Sequence, residues 1–326
     1  MDDLLTGCET EDEAIKIYNE MNKLLNSGGF DLQKWSSNNE NVLKYIGENK
    51  RDDHELPLKI NSLVKVLGVI WNRDADNFEY TLNLAETKQP ITKRQVLSDI
   101  AKLYDPLGWL APVVVIAKMI MQKLWKSGLD WDDTVQGSLL AEWLNFRENL
   151  IHIKKITIPR SLHYSKMSSI ELHVFADASL LAYGAVVYIR VVKDEKVYVN
   201  LITAKTKVAP IEKQISIPRL ELCSAALAAK LIFETAQVMN IPKVNLHAWS
   251  DSTIVLAWLK GGPSRWNTFV SNRVSDILNI LDYEQWGHVA TEVNPADCAS
   301  RGLQASESNQ IIQCGGKDLP GCLHGA

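Results

Sequence analysis

Two stretches of this 326-residue chain alternate in polarity and end in an aspartate. Along residues 170–177, Glu171, His173, Phe175 and Asp177 share one parity, and Ile170, Leu172, Val174 and Ala176 the other. Along 244–251, Asn245, His247, Trp249 and Asp251 oppose Val244, Leu246 and Ala248. Successive strand side chains point to opposite faces, so each aspartate sits on the more polar face of its strand. Glu221 lies just after Pro218 at the start of an apolar helical run, and Asp297 follows Asn294-Pro295-Ala296 at the start of another. A carboxylate in the first turn of a helix is favoured by the helix dipole, and singly both have that ordinary explanation. Were the two strands parallel neighbours, four carboxylates would be able to meet at the carboxyl end of one sheet. Like charges within a few Å raise one another's pKa, and such a cluster is tolerable only when cations occupy it. Oxygen-only ligands select hard metals, which points to Mg²⁺ or Mn²⁺.

The elements that must position these residues can be read from periodicity. From Ser168 onward, strands are expected at Ile170–Ala176, Tyr183–Val192 and Val197–Thr203, followed by a helix from Pro218 to about Met239. A strand at Val244–Trp249, helices at Ser252–Leu259 and Trp266–Leu281, a strand near Trp286–Val289 and a helix from Pro295 complete the series. The connection between the two aspartate-bearing strands allows them to be parallel neighbours. The expected fold class is α/β, a mixed sheet with helices on its faces. Upstream, Glu11–Leu25 reads as an amphipathic helix and Ser36–Glu55 as polar loop. Val64–Trp71 reads as one strand, paired with Phe78–Leu82. Helices are expected over Thr92–Tyr104, Pro112 to about Lys126, and Leu139–Ile151.

Composition excludes several classes. Hydrophobic residues make up 46% and charged residues 23%, an ordinary globular balance. The apolar run Leu107–Ala117 is broken by Pro112 and falls well short of the roughly 18 residues of a membrane span, so no membrane partner is expected. Met1-Asp2-Asp3-Leu4-Leu5 has no basic region ahead of an apolar one, so an intracellular location, cytoplasmic or nuclear, is expected. Five cysteines without a CxxC pair suit free thiols. The net charge of -4 gives no global argument for nucleic acid, but residues 190–219 form a basic strip that includes Lys205, Lys207 and Arg219. That strip suits either phosphate contact or a lysine-protected hairpin edge.

Four motifs carry a family resemblance: His173-Val174-Phe175-Ala176-Asp177-Ala178-Ser179, Ile217-Pro218-Arg219-Leu220-Glu221-Leu222, Trp249-Ser250-Asp251-Ser252 and Asn294-Pro295-Ala296-Asp297-Cys298-Ala299-Ser300-Arg301-Gly302. In this order they resemble the ribonuclease H domain of BEL/Pao-type retrotransposon polyproteins. The resemblance implies an RNase H-like five-stranded mixed sheet over about 165–303, with Asp177, Glu221, Asp251 and Asp297 as metal-binding, catalytic carboxylates for two Mg²⁺ or Mn²⁺ ions. It implies hydrolysis of the RNA strand of an RNA:DNA hybrid, with Lys205, Lys207 and Arg219 as candidates for backbone contact. Upstream, Lys34-Trp35-Ser36, Val66-Leu67-Gly68-Val69-Ile70-Trp71, Asp105-Pro106-Leu107-Gly108-Trp109 and Gly128-Leu129-Asp130-Trp131 look like the palm end, thumb and connection of the same elements' reverse transcriptase. That region, 1–157, is a smaller α+β part labelled a Pao retrotransposon peptidase domain. The upstream portion of the polyprotein is then an expected partner.

Some features depart from the pattern. Asp2-Asp3 resembles the tail of a polymerase Tyr-x-Asp-Asp motif without its Tyr, so both are expected to be vestigial and no DNA synthesis is expected. The peptidase label lacks support, because Asp251-Ser252-Thr253 has no Gly to make a protease loop. His288 is read as a strand residue, and His173 and His247 as packing groups behind the carboxylates. Trp249, Trp258, Trp266 and Trp286 are read as core. Residues 304–326 are expected to form a flexible tail. The rival expectation is a catalytically inactive remnant, or a host-recruited domain that binds nucleic acid or protein.

Overall fold

The computed structural model describes residues 4–47, 63–66, 69–82, 84, 86, 89–165, 168–211 and 215–307. Asp2, Asp3 and residues 308–326 of the expected tail lie outside the described residues. The chain divides into two compact units, one of residues 1–81 with 157–161 and one of 82–156 with 162–326.

In the first unit, helix α1 (Glu11–Ser27) begins at Thr10, whose side chain accepts from the Glu13 N–H, with Glu11, Asp12 and Glu13 filling the first turn. The expected polar loop contains a helix, α2 (Glu40–Ile46), because Asn39 accepts from the N–H groups of Asn41 and Val42 while Val42 and Ile46 turn inward. The run expected as one strand is two, β1 (Leu63–Val66) and β2 (Val69–Asn72), paired antiparallel with Val66 opposite Val69. Strands β3 (Asn77–Glu79) and β4 (Thr157–Pro159) complete an antiparallel sheet of order β1-β2-β3-β4. Its clasp is Asp76, which accepts from Arg160 Nε at 2.6 Å and Nη2 at 2.9 Å, and from Trp71 Nε1 at 3.0 Å.

The second unit holds a five-stranded mixed sheet of order β7-β6-β5-β8-β9, formed by β5 (Ser169–Ala178), β6 (Ala182–Lys193), β7 (Lys196–Val208), β8 (Leu246–Ser250) and β9 (Trp286–His288). The pairs β5–β6 and β6–β7 are antiparallel, whereas β5–β8 and β8–β9 are parallel. Helix α6 (Ile217–Met239), with α7 (Thr253–Gly261) and α8 (Thr268–Leu278), covers one face, where Leu172, Val174, Val187, Leu222, Ala228, Ile232 and Val274 form the core. Alone, α6 has the length and hydropathy of a membrane span, a feature outside the Leu107–Ala117 run. Half of that window is buried, as in the core helix of a globular domain.

Three upstream helices, α3 (Lys93–Ile100), α4 (Ala111–Lys126) and α5 (Gly137–Asn149), belong to this second unit. The compact division therefore falls near residue 82, not at the expected 157–165 boundary. The physical reason is the exposed edge of β7. An open strand edge leaves unpaired backbone groups that a fold must cover. Here the Ala204 N–H and the Thr203 hydroxyl donate to the Leu107 carbonyl, at 2.9 and 2.7 Å. Trp109 Nε1 donates to the Ile202 carbonyl at 2.9 Å, Lys118 Nζ to the Thr206 carbonyl at 2.9 Å and Gln122 Nε2 to the Ala209 carbonyl at 2.6 Å. Gly108, at φ +74°, runs so close to Ala204 that a Cβ would land on its carbonyl. The last helix, α9 (Ala296–Arg301), leaves toward α4, where the Leu303 N–H donates to the Pro112 carbonyl at 3.1 Å. Beyond it, Ala305–Glu307 forms a 3-10 turn with Ala305 buried, so the start of the expected tail is folded.

A fragment of residues 165–307 is expected to lose cooperative unfolding, whereas 82–307 keeps it, as read by circular dichroism melts of the two. Gly108→Val in the full chain is expected to cost at least about 2 kcal/mol, since it combines an unfavourable positive φ with a steric clash.

Candidate active site

The parallel pairing of β5 with β8 sets Ala176 opposite Ser250, so Asp177 and Asp251 leave the same end of adjacent strands. Asp177 is the last but one residue of β5 and is 5% exposed. Glu221 lies in the first turns of α6, and Asp297 in the first turn of α9. The short α9 is placed by its own motif. Asn294, itself buried, donates to the Ala176 carbonyl at 3.1 Å and accepts from the Ala296 N–H at 3.1 Å. Ala296 and Ala299 are fully buried, and Ala299 lies so close to Gly184 of β6 that a Cβ there would stand 2.9 Å from its own. Gly184 is the register partner of Asp177, so the close approach brings Asp297 to the row of Asp177.

Electrostatics link the four carboxylates through Asp177 and Asp251. Burial pushes the Asp177 carboxyl up to about 6, with repulsion from Asp251 and Asp297 adding to the rise and a hydrogen bond from Ser300 opposing it. Glu221 is also raised, first by burial and then by Asp251. The structure thus brings all four predicted residues within electrostatic reach.

Each carboxylate has a local donor. The Ser300 hydroxyl donates to Asp177, and the Ser252 hydroxyl donates to Glu221 at 2.5 Å. The Thr291 hydroxyl donates to Asp251 at 2.9 Å, and Arg301 Nε pairs with Asp297 Oδ1 at 2.5 Å. Ser252 also caps α7, accepting from the Val255 N–H. Ser300 and Arg301 follow Asp297 at the i,i+3 and i,i+4 spacings that place residues on one helix face, a signal present in the sequence. Thr291 comes from a separate turn and had no such signal.

Other candidates are placed at the rim or elsewhere. His288 ends β9, exposed and opposite Ser250. Lys205, Lys207 and Arg219 are exposed, and Arg219 stands 5.2 Å over the Phe269 ring. Trp286 is buried, while Trp258 and Trp266 pack against the core.

A second titratable cluster lies farther down β5 and β8. Glu171, His173 and His247 have ligand atoms within 4.8 Å of one another, as a metal site would. The hydrogen bonds favour another role. Trp249 Nε1 donates to His173 Nδ1 at 3.2 Å, so the neutral ring carries its proton on Nε2 and donates it to Glu171 at 3.3 Å. Burial, then His247, lowers His173 to about 4, which keeps it neutral at pH 7. Arg190 supplies the cation beside Glu171, at 3.0 Å. With His173 stacked on His247 and Trp249, the cluster braces the strand that leads to Asp251.

Residues 92–252 match the family model of the Pao retrotransposon-like RNaseH-like domain. Within the second unit, residues 92–252 are thus similar to an RNase H-like domain. The matched stretch starts at the N-cap of α3 and includes Asp177, Glu221 and Asp251, with Asp297 beyond its end. No curated protein matches the chain. Among solved structures, similarity is found to the N-terminal RNase H domain of a Mycobacterium tuberculosis protein fused to maltose-binding protein, with 15% identity and a TM-score of 0.28, covering 43% of this chain and 99% of that one. RNase H1 from Halobacterium salinarum is similar at 16% identity and a TM-score of 0.26, covering 43% and 98%. LC11-RNase H1, from compost and solved in complex with an RNA/DNA hybrid, is similar at 9% identity and a TM-score of 0.27, covering 44% and 94%.

Because the second unit holds Asp177 at about 6, above its ordinary 3.8, the folded state keeps a proton that the unfolded chain has released. In a metal-free buffer this contribution to stability falls as pH rises from about 4 to 6. Asp177→Asn is expected to remove that fall and to raise stability at pH 7 by of order 1–3 kcal/mol, as measured by calorimetry in chelator. Parallel pH profiles for the two proteins would contradict the placement of Asp177.

Proposed function

We propose that the RNase H-like domain hydrolyses the RNA strand of RNA:DNA hybrids, with Asp177, Glu221, Asp251 and Asp297 as its catalytic residues. The observation that carries this reading is the convergence of four carboxylates in one field, with Asp177 buried among like charges. A cluster of that kind calls for a cation. The donor set fits a hard divalent metal, since it consists of carboxylate oxygens with no thiol or imidazole among the four, and Arg301 already contributes one positive charge there. Two Mg²⁺ or Mn²⁺ ions bound there would acidify the attacking water and stabilise the leaving oxygen. The chain's own residues prepare the site. Ser300, Ser252 and Thr291 fix one oxygen of Asp177, Glu221 and Asp251 by hydrogen bonds, which leaves the carboxylates oriented before any ligand arrives. Exposed Lys205, Lys207 and Arg219 suit contact with the phosphate backbone of the hybrid, and the 2′-hydroxyl is the group by which RNA is told from DNA.

In the same reading, residues 1–157 derive from the palm end, thumb and connection of a retrotransposon reverse transcriptase. The upstream polymerase portion is the natural partner, in an intracellular setting. The support is the order of the motifs along the chain.

The test is cleavage of a labelled RNA:DNA hybrid by the purified chain with Mg²⁺, with Mn²⁺ and with EDTA. Metal-dependent cutting of the RNA strand is expected, with Asp251→Asn reducing it at least about a hundredfold while the fold is kept. A folded chain that binds hybrid and cuts none in either metal would overturn the nuclease reading in favour of an inactive remnant or a recruited binding domain.

A further inference from the structure

Three of the four carboxylates are held by neutral hydroxyls, and the fourth by a charge. Hydroxyl donors can keep their bonds when a cation takes the other carboxylate oxygen. A guanidinium is held there by the negative field of the carboxylates, and two dications that neutralise that field remove most of its attraction. Arg301 pairs with Asp297 at 2.5 Å, and its positive charge acts on Asp177 as well. In return, Asp297, then Asp177 and Asp251, favour its charged form. Its side chain is 62% exposed and stands on the last residue of α9, so it can swing into solvent without disturbing the helix. The Asp297 side chain is 33% exposed, the accessible end of a cluster whose other end, Asp177, is buried.

We propose that Arg301 is the built-in counter-cation of the carboxylate cluster, occupying Asp297 in the metal-free protein and giving way when divalent metal binds. The inference rests on the metal-binding reading above and adds a regulatory consequence. Arg301 stabilises the metal-free fold and, by competing for Asp297, raises the metal concentration needed to fill the site. It acts through Asp297 and is a positioning residue.

The test is Mn²⁺ binding followed by the electron paramagnetic resonance signal of free Mn²⁺, with thermal melts of the same full-length proteins in chelator. Arg301→Gln is expected to bind Mn²⁺ about three- to tenfold more tightly, an effect of the size expected for one partly exposed charge. It is also expected to melt lower than wild type in chelator and to gain more on Mn²⁺ addition. Arg301→Lys keeps the charge and is expected to stay within about twofold of wild type. Lys154→Gln, which removes an exposed cation outside the site, is expected to change neither quantity. Wild-type binding with an unchanged or weaker Arg301→Gln affinity would overturn this proposal and leave the metal site standing. A folded wild-type chain that takes up no Mn²⁺ would overturn both. If Arg301→Gln is unfolded in chelator, refolding on Mn²⁺ addition supports the proposal, and failure to refold overturns it.

Discussion

Repulsion among Asp177, Glu221, Asp251 and Asp297 is the constraint around which the second unit is organised. Four anions drawn from two strands and two helices stay together only if the elements that carry them are fixed more firmly than the charges push. Parallel pairing of β5 with β8 fixes the two strand aspartates. Asn294, buried under α9 and bonded to the Ala176 carbonyl, together with the close seat of Ala299 on Gly184, fixes the third element. The hydroxyls of Ser300, Ser252 and Thr291 then hold individual carboxylates in place.

The same constraint explains why the upstream helices belong to this unit. Helix α9 has only six residues, too few to stand alone, and its exit is bonded to Pro112 at the start of α4. Helix α4 in turn is tied to β7 through Lys118 and Gln122. One segment therefore closes the sheet edge and backs the helix that bears Asp297. The family match starts at residue 92, inside this unit.

Much of this was legible in the sequence. Alternation along 170–177 and 244–251 gave the strands and the faces of their aspartates, and Ser252 and Pro218 marked the helix starts. What failed did so for identifiable reasons. Apart from Lys65, Val64–Trp71 is apolar, and such a run does not reveal that Val66 pairs back on Val69. Helix α2 hid in a polar stretch because its cap, Asn39, also reads as a loop residue. The unit boundary depends on backbone bonds from Leu107 and Trp109 to β7, contacts between residues more than ninety positions apart that no local pattern encodes. Asp297 and Arg301 stood at helical spacing, but their ion pair gains its meaning only from the field of Asp177 and Asp251.

Among the described residues of this unit, two clusters have the residue types of a metal site, and the proposed reading gives them opposite roles. In the proposed reading Asp177, Glu221, Asp251 and Asp297 take cations, whereas Glu171, His173 and His247 are satisfied internally through Trp249 and Arg190. Anomalous diffraction from crystals of the protein soaked in Mn²⁺ separates the two directly. The account predicts anomalous density against Asp177, shared with Glu221, Asp251 or Asp297, and none at the histidines. Density at Glu171, His173 and His247 with the four carboxylates empty would contradict it.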